Sequence, residues 1–582
     1  MTDNPRPYDS PAPGAYLPEG SGPAVSPWLP FLLILACTFI AYIPAIGAGF
    51  IWDDEFHVFA NPHMIGLDGL RRIWFTTESQ QYYPLVYSSF WLEYQLWGAN
   101  PMGYHVVNIF LHSLNSFFVY LIFRRLGVRG ALAVALVFAL HPVHVESVAW
   151  VSERKNVLSG LFYLAALGSY LRFDDGGGRG SYARSLVLFF CALLSKTVTS
   201  TLPPALIIIR WMRGRAVRGT DLLRLVPFFA VGLVMGLVTV VWEVKFVGAS
   251  GSEFALSTAE RLLLPGRVVW FYISKLLWPA ELTFIYERWN LDPGDPAAWL
   301  YPAALVAALL ALYFLRGRIG RWAAGGLAYF VLTLLPALGF FNVYPFRYSF
   351  VADHFQYLAS LGVIGVVVGY AAWGLGRLPA GAASRYVKTG VAAVVLVVLG
   401  SLSFSQERIY EGLEPLWRDT LEKNPAAWMA HTNLGNVLYY TGREDEAREH
   451  FFRAIELNPS YEVPYYNIGN DLTRRGFIDE ANRYYRKSIE IRPGYGDAHY
   501  NLAGNLSSQG RFEEALFHYR KAAETDPGDA DIRVNLGNAL ARLGRFAEAS
   551  EQYEAALAID PGSATAQRNI EYVRRAMRRG GD

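Results

Sequence analysis

Three consecutive acidic residues, Asp53, Asp54 and Glu55, follow the first long apolar stretch of the chain, residues 28–50. Carboxylates at the end of a membrane-spanning segment avoid the free-energy cost of a charge at the bilayer centre. They also stay close enough to the bilayer to meet the head group of a lipid-borne substrate. This placement suggests an enzyme that works at a membrane face. A solvated helix end or N-cap is the alternative.

A second group of ionisable residues lies at a turn between two apolar stretches, in residues 141–156. Two histidines three positions apart share a helix face and can bind a metal ion or a phosphate oxygen. An adjacent Arg and Lys can neutralise a phosphate, unless they only snorkel to the membrane interface. The candidate residues are His141, His144, Glu146, Arg154 and Lys155.

Other polar residues interrupt the apolar stretches. His105 and His112 recur with Asn108 and Asn115 on one face of a predicted helix, which faces either a polar ligand or hydrogen-bonding helices. Three further candidates lie near the same predicted membrane face. They are Lys196, which is isolated in a long apolar stretch, and Asp353 and His354, which could pair with the first-loop acids or bind an acceptor.

The apolar stretches predict an all-α chain with eleven transmembrane helices, because each is long enough to cross, or nearly cross, about 30 Å of hydrocarbon. The pieces 184–195 and 197–212 are short and are either two spans or one re-entrant pair. Residues 262–280 are interpreted as an interfacial helix. The predicted spans are 28–50, 104–123, 130–147, 156–171, 184–195, 197–212, 223–246, 298–315, 322–341, 355–376 and 388–404.

Basic residues set the predicted orientation. With the N-terminus inside, the inner segments carry 17 Lys or Arg against 3 acids, and the outer segments carry 11 against 16. Eleven crossings then place the C-terminal domain outside, on the same side as Asp53 and Asp54. The sequence therefore predicts a multi-pass protein of the cell (inner) membrane, with the first-loop acids and the C-terminal domain on the extracytoplasmic side.

The C-terminal part repeats every 34 residues, the period of tetratricopeptide repeats. Proline opens each unit and a mid-repeat glycine ends its first helix. Four repeats and a capping helix are predicted within residues 426–578, after a linker helix at 406–425. The recurring residues are Pro425, Pro459, Pro493, Pro527 and Pro561, and Gly442, Gly476, Gly510 and Gly544.

An asparagine ladder follows the same period and suggests a concave surface that binds an extended protein or peptide. The alternative is that these residues are ordinary positions of the repeat consensus. The fold alone does not name the ligand. The ladder consists of Asn433, Asn467, Asn501 and Asn535.

Composition excludes some classes of protein. The chain has 52 Lys and Arg against 50 Asp and Glu, a net charge of +2, which gives no case for nucleic-acid binding. Cys37 and Cys191 both lie in apolar stretches and form neither a disulfide framework nor a metal cluster. The proline-rich residues 1–27 predict a disordered tail.

Residues 28–405 and the repeats closely resemble bacterial membrane proteins that end in tetratricopeptide repeats. These are similar to the transmembrane and tetratricopeptide-containing O-mannosyltransferases. The resemblance implies the C-type glycosyltransferase (GT-C) fold, an acidic motif in the first outer loop (50–103) and a polyprenyl-phosphate sugar as donor. It rests on the runs QYYPLVYSSFWLEYQLWGANPMGYHVVNIFLHSLNS, FALHPVHVESVAWVSERKNVLSGLFYLAAL, LSKTVTSTLPPAL, WFYISKLLWPAELTFIY and VADHFQYL.

On that resemblance, Asp53 and Asp54 correspond to the first-loop acidic pair, one of them the catalytic base. An inverting transfer from a phospho-sugar needs such a base at the acceptor hydroxyl and cations at the departing phosphate. The candidate cofactor is unknown, with a divalent metal as one option, and the lipid-linked sugar is the donor substrate. The candidate phosphate-binding residues are Arg154, Lys155, Lys196 and Arg288.

Two other classes compete with a membrane glycosyltransferase. A non-catalytic scaffold would use the spans as an anchor and the repeats to assemble an envelope complex. A transporter would show ionisable groups near the middle of its spans and inverted-repeat halves. Apart from His105 and His112, the charges lie at the outer ends of the predicted spans, which disfavours the transporter.

Overall fold

The computed structural model describes residues 28–79, 81–247, 251, 254–379 and 381–579, so the predicted disordered tail lies outside the described residues. Within this part of the chain every regular element is a helix. The chain divides into two units, Met1–Asn424 and Pro425–Asp582. The all-α prediction is therefore confirmed for the described residues.

The first unit holds the site. Its first helices are α1 (Trp28–Ala41), α2 (Ile43–Ile46), α3 (Asp54–His57), α4 (Gly66–Phe75), α5 (Pro84–Trp97), α6 (Pro101–Arg125), α7 (Ala131–Leu140), α8 (Val145–Ala149), α9 (Arg154–Asp174) and α10 (Gly178–Leu193). It continues with α11 (Leu202–Met212), α12 (Gly219–Trp242), α13 (Thr258–Leu277), α14 (Leu300–Phe314), α15 (Arg316–Ile319), α16 (Arg321–Leu334), α17 (Ser360–Leu375), α18 (Ala382–Glu407) and α19 (Leu413–Lys423).

A helix occurs in every predicted span, but most of these helices are too short or too polar to cross a membrane alone. In the described ranges three segments pass that test, Pro101–Arg125, Gly219–Val247 and Ala382–Tyr410. The helices α7 and α8, joined through a 56° bend, form a fourth if counted as one span. The eleven-crossing bundle therefore stays a prediction, whereas three clear apolar spans indicate membrane association.

The helix α13 contacts the segment between α16 and α17 along its length. Its first turn donates from Arg261 to Gly339 O at 2.8 Å, and its fourth turn donates from Tyr272 Oη to Ala352 O at 3.0 Å. These contacts do not test its placement in a membrane, so the interfacial helix stays a prediction.

The second unit consists of helix pairs in which small residues permit close packing. A Cβ added at Gly435 would lie 2.5 Å from the Phe451 ring, and one added at Gly469 would lie 2.5 Å from the Tyr485 ring. The four mid-repeat glycines have φ between 74° and 85°. This left-handed conformation of a single residue commonly ends an α-helix, and glycine adopts it without strain. The helices are α20 (Trp428–Tyr440), α21 (Glu444–Leu457), α22 (Glu462–Arg474), α23 (Ile478–Ile491), α24 (Gly496–Ser508), α25 (Phe512–Thr525), α26 (Ala530–Arg542), α27 (Phe546–Ile559) and α28 (Ala564–Arg579).

Candidate active site

A left-handed residue places the first-loop acids. Trp52 has a φ of 49°, a conformation that costs a non-glycine residue roughly 1 kcal/mol or more. Its ring packs against Trp417 and Phe284, with ring centroids 5.0 and 5.9 Å away. These contacts hold the turn that ends at Asp53 and the start of α3.

Asp54 is fully buried and serves the structure. Its Oδ1 accepts hydrogen bonds from Ser152 N at 2.7 Å and from Ser152 Oγ, and its Oδ2 accepts from Ile51 N at 3.0 Å. Burial, aided by the neighbouring charge of Asp53, raises the pKa of Asp54 to about 7. Because these bonds tie the first loop to the segment before α9, Asp54 offers little to an incoming substrate.

Asp53 is the accessible member of the pair. A quarter of its side chain is exposed, and its Oδ2 lies 3.1 Å from His57 Nε2. Burial opposes ionisation of Asp53, but the charges of His57 and Lys155 outweigh it and lower the pKa of the carboxyl. Its Oδ1 has no hydrogen-bond partner among the described residues. Asp53 is therefore an ionised carboxylate with a partly exposed side chain and a buried oxygen, Oδ1, that has no protein partner among the described residues.

Two lysines share one buried carboxylate beside Asp53. Glu153 is fully buried, and its oxygens lie 2.8 Å from Lys155 Nζ and 3.2 Å from Lys196 Nζ. The two lysine side chains remain 13% and 15% exposed. We call Asp53, His57, Glu153, Lys155 and Lys196 the outer polar cluster. It brings together one of the predicted acids and two of the predicted cations from loops far apart in the chain.

Charge within this cluster follows from burial and pairing. Burial lowers the pKa of Lys196 to about 8, although Glu153 opposes the shift. For Lys155 the charges of Glu153 and Asp53 outweigh burial and raise the pKa. For Glu153 the charges of His354, Lys155 and Lys196 outweigh burial and lower the pKa. The cluster therefore holds ionised groups at neutral pH, as binding of an anionic phosphate requires.

The structure does not bring Arg154 or Arg288 to this cluster as free cations. Arg154 is fully buried and forms a bidentate ion pair with Glu93, and its Nε donates to Asn108 Oδ1. Arg288 donates to Phe346 O at 3.0 Å. The guanidinium groups of both arginines make protein contacts, and their binding of a donor phosphate stays a prediction.

Four of the five candidate histidines bond to the protein itself, namely His105, His112, His141 and His144. His112 lies 2.8 Å from Tyr357 Oη and 3.1 Å from Ala139 O. These contacts favour interhelical hydrogen bonding over substrate binding. No group of three or more metal-ligating side chains occurs in the described ranges. The remaining contacts join His105 to Gly49 O, His141 to Leu276 O, and His144 to Phe138 O and Ser360 Oγ.

The segment between α16 and α17 pairs with the turn before α9 rather than with the first-loop acids. His354 Nδ1 lies 3.0 Å from Glu146 Oε1, and His354 Nε2 lies 3.9 Å from Glu153. Tyr286 Oη lies 3.1 Å from both carboxylate oxygens of Asp353 and donates its single hydrogen to this carboxylate. Burial, aided by Glu146, raises the pKa of Asp353. Of these two residues, His354 lies between Glu146 and Glu153.

The sequence pattern did not predict three side chains at the outer polar cluster, those of His57, Tyr87 and Glu243. His57 bridges Asp53 to Tyr87, whose hydroxyl lies 2.9 Å from His57 Nδ1. His57 lies four residues after Asp53, which is the helical spacing of a side-chain pair. The sequence therefore contains a signal for this contact. Glu243 interacts electrostatically with both lysines of the cluster from the end of α12, and nothing local in the sequence marks it.

In the repeats, the asparagine ladder joins neighbouring units. Asn467 Nδ2 donates to Asn436 Oδ1 at 2.6 Å, and Asn501 Nδ2 donates to Asn470 Oδ1 at 2.8 Å. These bonds favour the interpretation that the asparagines are consensus positions holding the repeats together. The other two contacts join Asn433 to Met429 Sδ and Asn535 to Tyr500 Oη.

Comparisons with known proteins agree with both parts of the chain. Tetratricopeptide repeat families match residues 428–461, 461–527 and 506–569, so the second unit is a tetratricopeptide-repeat domain. The repeats also align with YrrB, a solved tetratricopeptide repeat protein with an unusual peptide-binding site. That alignment has 22% identity and a TM-score of 0.25, over 32% of this chain and 97% of YrrB.

Over most of its length the chain is similar to protein O-mannosyl-transferases. Caenorhabditis elegans F38B6.6 is 24% identical over 73% of this chain and 62% of the relative. Human TMTC1 is 27% identical over 73% of this chain and 54% of the relative. Drosophila melanogaster Tmtc1 is 34% identical over 28% of this chain and 21% of the relative. The chain thus spans less than two thirds of these relatives.

Proposed function

We propose that this chain is a membrane glycosyltransferase that moves a sugar, mannose in the first instance, from a polyprenyl-phosphate donor to a protein or glycan hydroxyl. The observation that carries the proposal is the Asp53 carboxylate, with its unpartnered Oδ1, beside Lys155 and Lys196 in one partly exposed cluster. Similarity to protein O-mannosyl-transferases supports the same reaction class.

The chemistry assigns one role to each group. The acceptor oxygen attacks the anomeric carbon while the bond from that carbon to the phosphate oxygen breaks, which inverts the configuration. The Asp53 carboxylate takes the acceptor proton, and the phosphate leaves with the bonding electron pair. Lys155 and Lys196 stabilise the added negative charge, and Glu153 holds both ammonium groups in place. A lipid-linked donor reaches this cluster along the membrane, with its prenyl chain between helices.

We also propose that the repeats lie on the extracytoplasmic side together with Asp53 and hold a protein or peptide partner. The first unit supports this, because α19 packs Trp417 against Trp52 and ends beside the outer loop. Asn424, the last residue of that unit, donates to Ile285 O at 3.2 Å. A C-terminal reporter fusion tests the placement, and a cytoplasmic signal would contradict it.

The decisive variant is Asp53→Asn. Removing a general base lowers the transfer rate by about 100-fold or more. Asp68→Asn is the matched control, because Asp68 lies in the same loop, is exposed and pairs only with Arg72. Mass spectrometry of envelope proteins from a deletion strain complemented with each variant measures hexose on Ser and Thr. We expect D68N, but not D53N, to restore the modification.

The same strains distinguish the transferase from a scaffold. If D53N restores every hexose, or if the deletion strain lacks none, the transferase proposal fails. Unchanged glycosylation together with loss of an envelope complex would instead support the non-catalytic scaffold.

A further inference from the structure

A groove separate from the outer polar cluster lies between α13 and the first turn of α14. Its volume is about 630 Å³, within the usual range for small-ligand sites. Trp270 and Tyr301 line it from the two helices, and the loop before α14 closes it. Its polar lining residues are Arg267, Asn290, Asp292 and Asp295.

Arg267 supplies a cation with no protein anion. Its guanidinium carbon lies 4.4 Å from the centre of the Trp289 ring and 6.0 Å from that of Tyr301. It makes no hydrogen bond or ion pair with any residue that the structure describes. The Trp289 ring lies against the guanidinium, and the guanidinium N–H groups have no described protein acceptor, so they can donate to an anionic group. A phosphate accepts such a fork bidentately.

Two carboxylates face the same groove. Asp292 Oδ1 accepts from Gly294 N at 2.8 Å, and Asp295 Oδ1 accepts from Ala297 N at 2.9 Å. Each acid thus uses one oxygen to hold its own turn and keeps the other for a ligand. Neither acid pairs with Arg267, so the groove presents separated charges of opposite sign.

The groove lies where an apolar helix surface begins. Leu300, Val306 and Leu310 on α14 are 68%, 55% and 52% exposed. Such an apolar surface faces lipid in a membrane protein, and Trp, Tyr and Arg at its end are typical of the head-group level. If the polar part of a lipid lay in the groove, its hydrocarbon chains would therefore lie along the exposed face of α14.

We propose that this groove binds a zwitterionic phospholipid with an amine head group. The phosphate contacts the Arg267 guanidinium, the ammonium group contacts Asp292 and Asp295, and the acyl chains lie along the exposed face of α14. The two carboxylates repel a head group whose only charge is its phosphate, so the groove selects against anionic lipids. This inference is independent of the transferase proposal, because it uses none of the outer polar cluster.

Native mass spectrometry of the full chain in detergent tests the inference with phosphatidylethanolamine and phosphatidylglycerol of identical acyl chains. The wild type retains phosphatidylethanolamine in preference to phosphatidylglycerol. R267Q weakens that binding by about tenfold, because a charge-assisted hydrogen bond is lost. D292N/D295N abolishes the preference by admitting phosphatidylglycerol. The matched control R318Q, at the other end of α14, leaves binding unchanged.

Three outcomes would overturn the inference. R267Q could bind both lipids as the wild type does, which would reduce Arg267 to an interfacial anchor. R318Q could lose as much binding as R267Q, which would indicate a general charge effect. Finally, a free mannose disaccharide could bind the wild type but not R267Q while neither lipid competes, which would assign the groove to a sugar.

Discussion

Ion pairs are built in opposite ways in the two units. In the repeats they mostly join residues three or four positions apart on an exposed helix face, as Arg511 and Glu514 do at 2.6 Å. In the first unit, Lys196 reaches Glu153 across 43 positions, and Glu153 is 1% exposed. Exposed local pairs contribute little to stability, whereas breaking a buried pair leaves an uncompensated charge. The first unit therefore depends on a few buried charges, whereas most ion pairs of the repeats are local and exposed, with buried Asp471 as an exception.

Glu153→Gln is expected to have the largest effect on this comparison. The substitution leaves Lys155 and Lys196 buried without their shared carboxylate, which costs about 3–5 kcal/mol. Thermal unfolding of the detergent-solubilised chain measures the loss, and E514Q in the repeats serves as the matched control with no measurable change. Equal melting temperatures for the two variants would show that the buried pairs are not needed for stability.

Protonation of Asp54 is expected to make the stability of the first unit depend on pH. The pKa of Asp54 is about 7 in the folded chain, above the ordinary value of an aspartate, so the folded state binds a proton that the unfolded state releases. The stability this proton contributes is complete below about pH 4 and is lost as pH rises through 7. D54N removes this contribution to the pH dependence, so its melting temperature falls less than that of the wild type between pH 5 and pH 8. A parallel fall in both proteins would contradict the assignment.

Two histidine pairs give the repeats the opposite pH dependence. His431 and His450 lie with Nδ1 atoms 2.8 Å apart, and His499 and His518 repeat this geometry two units later. His499 Nε2 lies 3.0 Å from Pro493 O and so carries a hydrogen, which makes its Nδ1 the acceptor. Burial, and then His499, lowers the pKa of His518 to about 4. The hydrogen between the rings then belongs to His518 Nδ1, and protonation of His499 Nδ1 would break this bond.

Stability from this pair is present above pH 6.5 and lost as pH falls through about 4. Hydrogen exchange of α24 and α25, corrected for the intrinsic rate, should therefore accelerate on acidification in the wild type. H499Y/H518Y copies Tyr465 and Tyr484 of the second repeat, and its protection should change less. If both proteins lose protection at the same pH, the pair does not cause the transition.

The smallest expected effect concerns a gap in the asparagine ladder. Asn470 and Asn538 each accept from the next asparagine and from a tyrosine of their own repeat, but the third repeat has Gly504 there. A Cβ at Gly504 meets only Tyr519 Oη, at 3.9 Å. G504N should stabilise the repeats by about 0.5–1 kcal/mol through helix propensity and the restored bond. A melting curve measures this gain, and a lower melting temperature would oppose it.

Sequence patterns predicted local features well and long-range ones poorly. The 34-residue period predicted the helix pairs, and the positive φ of Gly442 and Gly476 agrees with the predicted helix ends. Sequence patterns do not distinguish Arg154 from Lys155, because the two are adjacent cations at one turn. The structure separates them, because Arg154 points to Glu93 on α5 while Lys155 points to Glu153. That difference depends on side-chain direction at successive helix positions and on partners supplied by other helices.

The helical class, the repeats and the apolar stretches can all be predicted from the sequence alone. So can the position of the acidic residues at the end of the first apolar stretch. Each of these follows from spacing along the chain, which period and hydropathy report directly. The difference between the two aspartates comes from tertiary contacts. Asp53 has one oxygen without a described partner, whereas Asp54 accepts hydrogen bonds from Ser152 and Ile51. The two neighbouring carboxylates differ in burial and partners, and Ser152, the partner that distinguishes Asp54, lies 98 positions away, where local patterning does not reach.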